Sequence, residues 1–333
     1  MKKLALVPSL LIFLFSCHSA KKDNSITIYS PHGDALLTEM KNRFEKAYPS
    51  IKVEYINLTS QEVLERVQNE KGDPQGDIWW GAPSTLFIHA MEDSLLEKYR
   101  PAWSSQVDLA YHDPNDYWYG TFLTPEVILY NKSVLKREQA PQDWDDLVTP
   151  QWKKRIIIRS PMNTGTIRMI FSALIAREVN ESDRYLWLKK LSQQSPEYVA
   201  LGPELYKGLD EQTPVSIWNM PDIVSNSQRG EPVDYIWPKS GAIVLVDGIG
   251  LIKGSDNLDA AKKFYDFVML PENVKMLAEK FIRIPTIPIT PLESQPTWLQ
   301  NLPANKFPVN WKFVADNEIR WMDQWESKIS RSN

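Results

Sequence analysis

The chain has 333 residues, 43% of them hydrophobic, with 38 Lys and Arg against 42 Asp and Glu and a formal net charge of −4. That length and apolar content suit a globular body of two domains or lobes, and the lack of a basic excess argues against a nucleic-acid partner. The single cysteine, Cys17, excludes a disulfide framework, a cysteine-ligated metal and a cysteine nucleophile in the folded body.

At the N-terminus, Lys2 and Lys3 precede an apolar stretch, Leu4 to Phe15, interrupted only by Pro8 and Ser9. This is the pattern of an export signal, and it is too short for a bilayer span, which needs roughly 20 apolar residues. Leu14-Phe15-Ser16-Cys17 resembles the lipobox of bacterial lipoproteins, with Phe15 departing from the usual small residue. The resemblance implies a signal peptide over 1–16, lipidation of Cys17 and a polar tether over 17–24; an incidental cysteine in a discarded signal is the alternative. Without Lys2 and Lys3 the 38 basic residues become 36 against 42 acidic, a net charge of −6.

Ile26 to Tyr29 alternates as a strand and breaks at Ser30-Pro31-His32-Gly33, after which Leu36, Leu37, Met40 and Phe44 recur at helical spacing. The unit repeats. Ile51 to Ile56 is a second strand, Ser60 is expected to cap a helix through Glu70, and Asp77 to Trp80 is a third strand stopping at Gly81-Ala82-Pro83-Ser84. Strands alternating with helices imply a parallel sheet with ligand-facing loops at the strand C-terminal ends, here 30–34 and 81–85.

A further strand-like run begins at Tyr119 and continues through Asn131, followed by a Pro-, Trp- and Asp-rich connection that marks a change of lobe. Ile156 to Ile158 is a short buried strand, Arg159 to Gly165 a polar loop, and Thr166 to Arg177 a helix. Pro214 to Trp218 and Val233 to Trp237 read as strands, and Ile243 to Ile252 as the longest β-like run; Asn257 opens a helix through Leu270. The tail after Pro271 reads as helical, then Pro-rich, then helical. No fixed-period repeat points to a solenoid or propeller.

Taken in order, Ile26 to Phe44, Gly76-Asp77-Ile78-Trp79-Trp80-Gly81, Leu129-Tyr130-Asn131-Lys132, Thr149-Pro150-Gln151-Trp152-Lys153, Val246-Asp247-Gly248-Ile249 and Ala260 to Phe267 resemble the extracellular solute-binding proteins of ABC transporters, in the group of the ferric-ion, thiamine and hexose-phosphate binders. The resemblance spans nearly all of the mature chain. It implies an α/β, two-lobed clamp of the type II periplasmic-binding kind, each lobe a mostly parallel sheet flanked by helices, closing on its ligand by hinge bending. Crossover strands are expected near 121–123 and 244–248, dividing the chain into lobe one (25–121), lobe two (122–246) and a last segment (247–333) that returns to lobe one and carries the C-terminal helices. The implied partners are a small-molecule ligand and membrane permease subunits, with the protein acting as a monomer and without a cofactor.

Ferric binders of this group use a His or carboxylate from the first loops and adjacent tyrosines from the second lobe. His32 stands at a suitable place, but the third loop carries no carboxylate and Trp218-Asn219-Met220-Pro221 replaces the tyrosine pair, so no metal site is expected; Fe(III) prefers hard anionic oxygen ligands. What the loops supply is neutral hydrogen-bonding groups: Ser30, Gly33, Ser84 and Thr85, together with Asn163-Thr164-Gly165-Thr166 where a helix begins. A helix N-terminus rich in small hydroxyl residues favours an anion, with Arg159 and Arg168 near it in sequence. The same threonines serve equally as ordinary caps, and His32 as an ordinary loop histidine. Trp80, Trp118 and Trp218 suit core packing, although Trp80 and Trp218 precede cleft loops and suit stacking too. Thr121 on the first crossover, Asp222 and Asp247 complete the candidate set. The expected ligand is an anionic or polyhydroxylated organic solute, a phosphorylated sugar or phosphonate first, with ferric iron second.

Against an enzyme stand the absence of a Gly-x-Ser-x-Gly elbow, a Walker loop, a dinucleotide loop and a His-Glu-x-x-His helix. A carboxylate-dependent hydrolase stays open at this level, as does a sensor that presents its ligand to a membrane kinase.

Overall fold

The computed structural model describes residues 24–330 apart from Asn163 and Asn301. The expected signal peptide, the lipidated Cys17 and the candidate Asn163 lie outside the described residues. Among those described, no helix is long and apolar enough to cross a membrane.

The first lobe opens with β1 (Ser25–Ser30), α1 (Asp34–Ala47), β2 (Lys52–Asn57), α2 (Ser60–Asn69), β3 (Ile78–Pro83), α3 (Ser84–Glu92) and the short β4 (Leu96–Glu97). β1 pairs in parallel with β2 on one side and β3 on the other, as the alternation of strand and helix requires. Side chains alternate across this sheet: Ile26, Ile28, Ile78 and Trp80 enter one apolar cluster, Tyr29 and Trp79 another.

Two local expectations change. Thr59, not Ser60, is the N-cap of α2, its hydroxyl accepting from the Glu62 amide while the Glu62 carboxylate accepts from the Thr59 amide. No loop separates β3 from α3: the strand runs to Pro83 through Gly81 and Ala82, both at positive φ, and the helix starts at Ser84.

β5 (Tyr119–Asn131) is one continuous strand that carries the chain into the second lobe. There follow β6 (Ile157–Arg159), α4 (Gly165–Ala176), α5 (Leu186–Gln193), β7 (Glu197–Val199), α6 (Gly202–Gly208), β8 (Val215–Asn219), α7 (Met220–Gln228) and β9 (Val233–Ile236). β8 and β9 run antiparallel to β5 along its far half, and β6 pairs in parallel with β7. β10 (Ile243–Ile252) then returns, antiparallel to β5 from Ile243 to Ile249 and to β3 from Asp247 to Leu251. Both ladders slip register at Asp247, so the return crossover bulges where it passes between the lobes.

After β10 come α8 (Leu258–Val268), α9 (Pro271–Phe281), β11 (Ile284–Pro285), α10 (Thr297–Gln300), α11 (Trp311–Ala315) and α12 (Glu318–Lys328). α8 and α9 bury Phe264, Phe267, Val274 and Leu277 in the first lobe. The tail does not stay there. Val314, Trp321, Met322 and Trp325 join Ile167, Ile170 and Phe171 in the second-lobe core, and α11 packs against both α3 and α4. The aromatic faces of these last two helices cover α4.

Candidate functional site

A cavity of about 640 Å³ lies between the lobes. From the first lobe it is lined by Pro31 and His32 after β1, by Thr59 to Glu62 at the start of α2, and by Ala82, Pro83, Thr85 and Leu86 at the start of α3. The second lobe contributes Arg159, Pro161, Met162, the Thr164 to Thr166 turn, Arg168 and Met169, and Trp218, Asn219 and Asp222. Thr124, Leu245 and Asp247 on the crossovers, with Arg283 and Glu318 from the C-terminal part, close the lining. The N-termini of α2, α3, α4 and α7 thus all meet this cavity, each presenting amide N–H groups and the positive end of a helix dipole.

These N-termini differ in how far the chain satisfies them. α2 is closed by its capping box, and Asn219 accepts from the Asp222 amide at the start of α7. α3 and α4 have no side-chain cap. Thr164 occupies the cap position of α4 without bonding back to the helix, which leaves its hydroxyl and the first amides of α4 beside the cavity. α3 and α4 touch across the lobes, with Thr85 Oγ1 donating to Met169 Sδ at 3.4 Å.

The charged side chains fall into three groups. Arg159 lies over the Trp218 ring at 4.9 Å, donates to the Ala200 carbonyl at 3.0 Å and leaves Nε without a partner among the described residues. Burial lowers its pKa, opposed by the negative charges of Asp222 and Glu204. Trp218 Nε1 in turn donates to Asp222 at 3.0 Å, which fixes the ring under the guanidinium. Arg168 is held by an ion pair with Glu318 of α12.

On the crossover side, burial raises the pKa of Asp247, while a 2.7 Å hydrogen bond from Thr124 and the positive charge of Arg283 lower it. His32 packs edge-on against Trp80 and Phe122, with ring centroids 4.9 and 5.5 Å away. Its Nε2 has no hydrogen-bond partner among the described residues, and burial, helped by Arg283, holds its pKa well below the ordinary histidine value. A neutral imidazole results.

Of the candidates read from sequence, His32, Thr85, Thr164, Gly165, Thr166, Trp218, Asp222 and Asp247 line the cavity. Ser30, Trp80, Ser84 and Thr121 are buried and do not. Ser30 accepts from the His32 amide and shapes the first loop, while Trp80 Nε1 donates to Thr121 Oγ1, which donates to the Asp247 carbonyl. These residues hold the cavity wall from behind. Gly33 is the N-cap of α1 at φ 81° and lies off the lining. Sequence reasoning missed Thr124, Arg283 and Glu318, which come from a crossover face and from distant C-terminal segments and carry no local motif. Among the described residues no tyrosine lines the cavity, and no three His, Cys, Asp or Glu side chains are grouped to hold a metal ion.

Two lobes joined by long crossover strands, with helix N-termini converging on the cavity between them, define a clamp that binds solutes. The chain belongs to the family of bacterial extracellular solute-binding proteins, whose model matches residues 83–317. It is similar to the probable ABC transporter periplasmic-binding protein y4fP of Sinorhizobium fredii, 24% identical over 331 residues, covering 92% of this chain and 87% of the relative. Among solved structures, its fold matches the periplasmic binding protein AfuA of Actinobacillus pleuropneumoniae with fructose-6-phosphate bound, at TM-score 0.75, 24% identity and coverage of 92% and 98%. It also matches a ferric binding protein of Campylobacter jejuni at TM-score 0.80, 19% identity and coverage of 90% and 98%.

Proposed function

We propose that this protein is the exported, lipid-anchored solute-binding component of an ABC uptake system, capturing a small anionic organic solute and handing it unchanged to a membrane permease. A phosphorylated sugar or a phosphonate is the favoured solute. The observation that carries the anion reading is the uncapped N-terminus of α4, with Thr164 and Thr166, facing the same cavity as the uncapped α3 and the stacked Arg159. Free amides at a helix N-terminus stabilise negative charge, and a guanidinium adds charge-assisted hydrogen bonds. Contacts from both lobes exist together only in the closed form, so the ligand shifts the open and closed populations by its differential affinity.

Ferric iron is the second reading, favoured by the unpartnered Nε2 of His32 beside the cavity. It is the weaker one, because no phenolate among the described residues lines the site.

The test is a thermal-shift screen of the protein against fructose 6-phosphate, glycerol phosphates, phosphonates, thiamine, polyamines and ferric citrate. Ligands that bind the native state raise the midpoint by mass action. A shift with one organophosphate or phosphonate class is the expected result; a shift with ferric citrate alone would replace the anion reading with iron capture.

A further inference from the structure

Glu126 occupies the point on β5 where the strand leaves the first lobe. Its cross-strand neighbours are Ile243 on β10 and Asn219 on β8, so both flanking strands enclose it. The side chain has no exposed surface, and neither carboxylate oxygen has a hydrogen-bond partner among the described residues. A carboxylate buried from bulk solvent without a donor among the described residues is strongly disfavoured, so the group keeps its proton instead.

Glu126 shares a face of β5 with Thr124, two residues away, and Thr124, Leu245 and Asn219 around it line the cavity. Glu126 itself is absent from the lining, and its neighbours Thr124 and Asn219 place it behind the cavity wall. Two charged groups bear on it directly, Asp247 on β10 and Asp222 at the start of α7, and with burial they push its pKa well above the ordinary carboxylate range. The nearby cations act on those aspartates, Arg283 on Asp247 and Arg159 on Asp222. Asn219 and Ile243, facing it from the paired strands, are uncharged.

We infer that Glu126 is a proton-carrying specificity determinant of the cleft: it holds its proton beneath a captured anion, and releasing that proton to solvent weakens capture of an anion. The inference rests on the anionic-solute reading above and adds a residue that, by keeping its proton, spares the site a negative charge without touching the solute.

Calorimetric titration of wild type and Glu126→Gln with fructose 6-phosphate, repeated across the pH range in which both fold, tests it. The second ionisation of the phosphate is common to both proteins, so the readout is the ratio of their dissociation constants. Wild type is expected to lose affinity relative to the variant as pH rises, by about tenfold across the range, the size of one pK unit of coupling. Parallel profiles would overturn the inference.

The unliganded proteins supply a second readout. A folded pKa raised above the unfolded one gives stability that is complete below the unfolded value, about 4.3, and is lost as pH rises toward the folded value. The melting temperature of the Glu126→Gln variant minus that of wild type, counted with its sign, should rise with pH, so that this gap widens in the variant's favour; a constant difference refutes the neutral buried acid. If neither protein binds the phosphate at any pH while the gap widens, the anion reading fails, and the role in capture fails with it. Should Glu126→Gln not fold, the infrared carbonyl band of the protonated carboxyl in wild type gives the same test. It should persist to higher pH with fructose 6-phosphate bound, and an unmoved titration would overturn the inference.

Discussion

Thr164 holds the position where a capping hydroxyl normally bonds back to its helix, yet it makes no such bond. Thr59, in the same position on α2, makes it. The contrast separates two uses of one residue type: removing a working cap costs typically about 1 kcal/mol of stability, whereas an idle one costs little. Changing Thr164 and Thr166 together to Ala should therefore leave urea denaturation nearly unchanged while weakening binding of the identified anionic solute by about 1–3 kcal/mol. Unchanged affinity would show that α4 does not receive the ligand. Arg159 is a different kind of contributor, because Trp218 and the Ala200 carbonyl hold its guanidinium in place before any ligand arrives. Preorganisation of this sort lowers the ordering cost of binding.

At the scale of elements, the return crossover concentrates the mechanics. β10 slips register against both β3 and β5 at Asp247, and Gly248 follows it. A Cβ on Gly248 would approach the Phe87 ring of α3 to 2.7 Å, so only glycine lets α3 lie this close to the bulge. Gly248→Ala is expected to destabilise the protein by about 1–3 kcal/mol, the usual cost of overpacking a buried site, read from the urea midpoint at unchanged m-value. A neutral result would mean that Phe87 moves freely and that the bulge does not depend on this contact. α11 and α12 bind the lobes in another way. α11 packs on α3 and α4 together, Lys312 pairs with Glu92 of α3 at 2.8 Å, and Glu318 of α12 pairs with Arg168 of α4.

For the whole molecule, the lining divides between two lobes that are joined by β5 and β10 and bridged by the C-terminal helices. Small-angle scattering should record a fall in radius of gyration when the protein is saturated with its solute, because only closure brings both sets of contacts to bear. An unchanged radius with full occupancy would place the unliganded protein already in its closed form and remove hinge closure from the account. The charge arrangement acts at the same scale: among the described residues, three arginines, four carboxylates and four helix N-termini surround one cavity, and Arg168 and Glu318 cancel by pairing. The helix dipoles and Arg159, which Asp222 and Glu204 partly offset, are then the main positive features of the second-lobe wall.

Most of the elements could be read from the chain alone because a repeating apolar pattern reports which face of a strand or helix is buried. Alternation in 26–29 and 51–56, helical spacing after Ala35, and the long apolar run from Ile243 each became the element they imply. Pattern also located the polar ends of strands, and with them His32, Thr164, Thr166, Trp218 and Asp222 beside the cavity. Periodicity states that a face is buried, not what buries it, and there the sequence stopped. Trp321 and Trp325 cover the second lobe and not the first because α4 presents the complementary apolar surface, a fact of packing. Ser30, Ser84 and Thr121 carry polar side chains like true cleft residues but are buried; Ser30 accepts from the His32 amide and Thr121 donates to the Asp247 carbonyl. Arg283, Glu318 and the buried Glu126 acquire their meaning only from neighbours far away in the chain. Electrostatic environment is a property of three-dimensional surroundings, so tertiary structure alone decides it.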